Sequence, residues 1–147
     1  LLFIEHYLEY EDKYYDTKKV FLDALVRIYK KSSTLKTSRI EDKVTKILND
    51  FCSIFADNDP ILRTQSIIPI YYLALRKANE NNTTTKLNRI KLIEFKEKVR
   101  SNKIVAENDM SKANYELIEF DRMSLQGTND AGSIRERSRI LIEYLKL

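Results

Sequence analysis

Ile67-Ile68-Pro69-Ile70-Tyr71-Tyr72-Leu73-Ala74-Leu75 is the longest apolar run in the chain, and a proline interrupts it. Proline breaks a continuous helix, so a short turn over residues 61–65 and a fresh helix start near Ser66 are expected. Ile68, Tyr71, Tyr72 and Leu75 make the new helix, running to about Asn79, apolar nearly all round. That pattern marks it as the central core helix. Just upstream, Asp57-Asn58-Asp59-Pro60 ends one helix and opens the next, with Asp59 as cap and Pro60 at the first helical position, where its missing N–H costs nothing.

Working outward, residues 38–54 carry Ile40, Val44, Ile47, Phe51 and Ile54 at helical spacing, behind a capping box of Ser38 and Glu41. Residues 32–37 read as a polar linker. Before it, Asp16 or Thr17 is expected to cap a helix running to about Lys31, with Phe21, Leu22, Leu25, Val26, Ile28 and Tyr29 forming a broad buried face. The first ten residues fit a helix apolar on two sides, one that needs cover from elsewhere, such as an upstream domain. Downstream, the Asn/Thr-rich residues 79–85 form the natural loop and subdomain boundary. A charged helix over residues 86–107, a shorter one over 111–123 and a last helix from Ser133 to Lys146 complete the pattern, the last opening on a second capping box, Ser133 and Glu136.

With two glycines, two prolines and 33% charged residues among 147, turn residues are too scarce for a β-rich chain. The expected fold is all-α, an irregular bundle of six or seven helices forming a single helical domain over residues 1–147. The chain opens on Leu1 rather than Met, and a fragment of a longer protein is expected. Its net charge of +4 comes from 26 basic and 22 acidic residues interspersed, which permits nucleic-acid contact without requiring it. A single cysteine, Cys52, rules out an internal disulfide and reads as a small core residue in a reducing, cytoplasmic setting. No run approaches the roughly 18 apolar residues of a membrane span, so no membrane partner is expected.

His6 is the only histidine, which removes paired-histidine zinc sites and Ser-His-Asp or Cys-His nucleophilic arrangements together. It is expected to cap or pack a helix edge. The Glu94-x-Lys96 pair resembles a nuclease element but lies on a helix without placed metal-binding carboxylates, and Glu116, Glu119 and Asp121 read as solvated charges. No phosphate-cradling or dinucleotide glycine motif is present. The expectation is a non-catalytic chain with no cofactor and no metal.

Two features point to binding. At about 100° per residue, Arg89, Lys96, Arg100 and Lys103 fall in a stripe roughly 60° wide along the charged helix, about 21 Å long and comparable to several phosphates of a nucleic-acid strand. A solubilising face is the plain alternative, and no aromatic residues interleave the stripe. The second feature is Gln126-Gly127-Thr128-Asn129-Asp130-Ala131-Gly132-Ser133, which holds both glycines and calls for a special backbone shape. Gly127, Thr128, Asn129, Asp130 and Ser133, with Arg135 and Arg137 on the following helix, form a candidate anion site at a helix N-terminus. In the alternative, Asn129, Asp130 and Ser133 simply satisfy backbone groups in an interhelical turn. Arg139, spaced for pairing with Glu136 and Glu143, is set apart from this group.

Tyr115-Glu116-Leu117-Ile118-Glu119-Phe120-Asp121-Arg122, followed by Gln126-Gly127-Thr128-Asn129-Asp130, Ser133-Ile134, Arg137 and Ile140-Leu141, resembles the helical region after the ParB-like domain of GmrSD-type restriction proteins. The resemblance covers about residues 90–147. It implies part of a bacterial defence protein acting on modified DNA, whose parent joins a nucleotide-hydrolysing ParB-like domain to an HNH nuclease domain in some members. The chain lacks the Asp-Gly-Gln-Gln-Arg motif and the His-Asn-His set of those domains, so neither activity falls to these residues. The expected function is a helical module of a DNA-targeting restriction protein that contacts DNA phosphates or docks against sister domains. A protein-interaction or dimerisation module, possible as a homo-oligomer, is the rival, favoured by the apolar first helix and the nine tyrosines.

Overall fold

The computed structural model describes residues 1–31 and 38–147. Seven α-helices and no strand occur among them: α1 (Leu2–Glu11), α2 (Lys19–Lys31), α3 (Ser38–Ile54), α4 (Ile68–Glu80), α5 (Arg89–Asn108), α6 (Tyr115–Leu125) and α7 (Ala131–Leu145). The fold is all-α, as the scarcity of turn residues requires.

Asp59 and Pro60 act as their types dictate. The Asp59 carboxylate accepts the N–H of Ile61 at 3.1 Å and opens a single 3-10 turn, Pro60–Leu62. A second such turn, Gln65–Ile67, precedes α4, which places Pro69 in the first helical turn and leaves no hydrogen bond missing. The helix that follows is central. Ile70, Tyr72, Ala74 and Ala78 are wholly buried, with α7 against one side and α3 against another. Helices α5, α6 and α7 pack on one another, and α1 lies across α3. Asn88 and Asn114 cap α5 and α6 by accepting the N–H of Lys91 and Leu117. Asn102 of α5 reaches across to exchange two hydrogen bonds with the backbone of Asn114, fixing the turn between those helices.

The apolar first helix finds its cover within the chain. Phe3, Ile4 and Leu8 are buried in the common core, and so is Glu5, whose carboxylate accepts from the Tyr72 hydroxyl at 2.8 Å and from Arg76 Nε. Lys43 completes this cluster, pairing with Glu5 and Glu9. His6 packs among Tyr7, Tyr10 and Tyr29, its Nδ1 2.6 Å from the Tyr29 hydroxyl, and burial lowers its pKa.

Several expectations are corrected. Helix α2 does not bury a broad face: Leu25 alone is buried, while Phe21, Leu22, Val26 and Ile28 remain exposed. Cys52 is exposed, one position past the buried Phe51 on α3. Ser133 is not a cap, because α7 starts earlier, at Ala131, and Ser133 lies buried in its first turn with its hydroxyl donating to the Met123 carbonyl. Ser38 is the first helical residue of α3. The linker expected at residues 32–37 lies outside the described residues. Residues 81–87 form a turn and a short 3-10 helix, Thr84–Lys86, anchored by buried Leu87 and by Lys86 Nζ donating to the Lys146 carbonyl.

Candidate functional site

Gly127 adopts φ +63°, and a Cβ built there would lie 2.7 Å from the Asp130 carboxylate. This is the one place in the loop where glycine is needed; Gly132 sits in α7 with open space around it. The turn closes with the Asp130 N–H donating to the Gly127 carbonyl at 2.9 Å.

The strap before α2 crosses this loop. Asp16 accepts the N–H of Ala131, the first residue of α7, at 2.9 Å. Its neighbour Thr17 donates its N–H to the Asn129 carbonyl at 2.8 Å. Lys18 then bridges Asp16 and Asp130, at 3.0 and 2.7 Å. The Ala131 N–H, and after it Lys18, lowers the Asp16 pKa, and Asp130 followed by Asp16 raises that of Lys18. Asp16 was expected at the start of α2; it caps α7 instead. The positive end of the α7 dipole therefore already holds a carboxylate of the chain itself. Arg135 stands exposed beside it.

Arg137 faces the other way and is wholly buried. Nε donates to the Ser133 carbonyl, Nη1 to that of Ser66 and Nη2 to that of Thr128, the last at 2.7 Å. Through these bonds one side chain ties α7 to the glycine loop and to the turn before α4. Burial lowers its pKa.

The basic stripe of α5 divides. Arg89 grips buried Asp59 with Nε at 2.6 Å and Nη2 at 3.1 Å, so its charge is spent on the start of the 3-10 turn. Lys103 pairs with Asp121 of α6 at 3.6 Å. Lys96 and Arg100 are exposed and have no carboxylate within 4.0 Å among the described residues. Both line a cavity of about 470 Å³ that Arg137 also borders. The cavity was not legible in the sequence, since its walls come from α5, α6, α7, Tyr71 of α4 and the segment before that helix.

The acidic residues of α6 are taken: Glu116 by Arg139, Glu119 by Arg122 and Asp121 by Lys103. Arg139 also pairs with Glu136 and Glu143, as its spacing predicts. Among the described residues no group of three or more His, Cys, Asp or Glu side chains is placed to hold a metal, and no helix is long and apolar enough to cross a membrane. No protein-family model, curated protein or solved structure matches the chain.

Proposed function

We propose that this chain is a non-catalytic helical docking module whose α2 packs against a sister domain of the same protein. The observation that supports it is the apolar face of α2, where Phe21, Leu22, Val26 and Ile28 flank Leu25 at about 100° per residue and stay 40%, 38%, 52% and 46% exposed while Leu25 alone is buried. Apolar surface grouped this way costs free energy in water that a partner surface recovers, at roughly 25 cal/mol per Å² covered. Under the resemblance of residues 90–147, the setting is a DNA-targeting bacterial restriction or defence protein. A photocrosslinking residue in place of Phe21, in the whole protein, tests the reading. A crosslink within the same polypeptide, to a residue outside this domain, supports docking on a sister domain. A crosslink only to a second copy favours the dimerisation module, and no crosslink at all overturns both.

A second reading, contact with DNA phosphates, rests on Lys96 and Arg100, the two stripe residues left without carboxylate partners among the described residues. Two phosphate contacts give a slope of about −2 in a plot of log affinity against log salt. Fluorescence anisotropy on short duplex DNA measures it, and binding that survives Lys96→Glu with Arg100→Glu removes these residues from the interface.

A further inference from the structure

We propose that the cavity bordered by Arg137 binds a small organic carboxylate with an apolar body. The headgroup is held by Arg100 and Lys96 over the buried Arg137, whose charge it offsets, and the body lies against the aromatic wall.

The case begins with a buried charge. Arg137 is 0% exposed, yet its acceptors are three neutral carbonyls, and no carboxylate lies within 4.0 Å of it among the described residues. A charge taken out of water is stabilised by an opposite charge, and none is supplied here by the protein among the described residues. The acid that shares the lining, Asp121, is paired with Lys103. Arg100 and Lys96 add two further positive charges to the same cavity. Its polar character is thus one-sided and calls for an anion.

The walls select the rest of the ligand. Tyr71, Phe95 and Phe120 line the cavity, with Val99 and Ile67 beside them. A volume of about 470 Å³ falls within the range of roughly 300–1,000 Å³ typical of small-molecule sites, in which apolar walls carry a few convergent polar groups. The planar fork of arginine matches the two oxygens of a carboxylate. A bare inorganic anion would leave the aromatic wall uncovered, and a neutral lipid or alcohol would leave Arg137 uncompensated. A medium-chain or aromatic carboxylate satisfies both.

Isothermal titration of the chain with decanoate, decanol and inorganic phosphate tests this. The expected result is saturable decanoate binding, at least tenfold tighter than decanol, with no binding of phosphate alone. Arg137→Gln should weaken it. Because that variant loses three internal hydrogen bonds, Lys96→Gln with Arg100→Gln, both on exposed side chains, provides an independent check and should weaken decanoate several-fold without lowering the melting temperature. Ser124→Phe, which fills the cavity from α6, should block binding outright. Equal affinity for decanoate and decanol, no decanoate binding, or decanoate binding untouched by the Lys96/Arg100 and Ser124 variants would each overturn the proposal, the last by placing the ligand elsewhere, such as the apolar groove between Leu2, Leu25 and Ile40.

Discussion

The carboxylate of Asp16 accepts the backbone N–H of Ala131 across 115 residues of sequence, so the start of the last helix is capped from the opposite end of the chain. Caps are ordinarily local, supplied by the residue just before the helix. Here the local candidate, Asp130, makes no side-chain bond to the helix and is turned toward Lys18. Replacing Asp16 by alanine removes the cap and one side of the Lys18 bridge together. The expected outcome is a lower melting temperature and faster proteolysis at the 126–131 loop, whereas Asp130→Ala, which leaves the Ala131 N–H satisfied, should do less.

The two glycines should respond in opposite senses. Gly127→Val forces a β-branched residue to φ +63° and sets its Cβ against Asp130, at a cost of about 1–2 kcal/mol from the backbone alone. Gly132→Ala, inside α7 with nothing within 4 Å of the new methyl group, should instead stabilise the fold by roughly 0.5–1 kcal/mol. Chemical denaturation of the two variants measures both signs.

Asp59 links stability to acid. The Arg89 guanidinium, helped by the N–H groups of Ile61 and Ala56, holds its carboxyl at about 2 against an ordinary value of 3.8. With the folded pKa depressed, the unfolded chain takes up the proton first as pH falls. The contribution is therefore complete above about pH 4 and disappears between there and about pH 2. Denaturation midpoints should fall in that window for the native sequence, and Arg89→Leu should flatten that part of the profile while lowering stability at neutral pH.

Tyr72→Phe deletes one hydroxyl and leaves the buried Glu5 carboxylate one donor short. Hydrogen bonds to buried charged groups contribute roughly 1.5–3 kcal/mol, so a loss of that order is expected in urea denaturation. If the midpoint does not move, Arg76 and Lys43 alone suffice to hold Glu5.

How much of this was legible in the sequence depends on the range of the interaction. Pro69, Asp59 with Pro60, and the pairing of Arg139 with Glu136 and Glu143 act within a helical turn, and each behaves in the structure as local chemistry requires. The positive φ at Gly127 was legible for the same reason. Arg89 and Arg137 were not. Arg89 reaches Asp59, 30 residues away, and Arg137 reaches Ser66, 71 residues away, besides Ser133 and Thr128, whereas a helical projection sees only the face they share with their neighbours. Helix α2 misled in another way, since its periodicity records that an apolar face exists without recording whether this chain covers it. The same holds for Cys52, an apolar-ranked residue that the turn of α3 leaves outside.

The single buried residue of α2 has a dynamic consequence. The remaining core, from α1 and from α3 through α7, closes around α4 almost without it, so releasing α2 gives up Leu25 and the Tyr29 contact with His6 and leaves the rest in place. Its amides should exchange with solvent by a local opening far below the free energy of global unfolding, as a separate cooperative unit of the fold. A partner that covers α2 would therefore slow that exchange selectively, leaving the rates in α4 and α7 unchanged, and its binding could be followed by the protection of one helix.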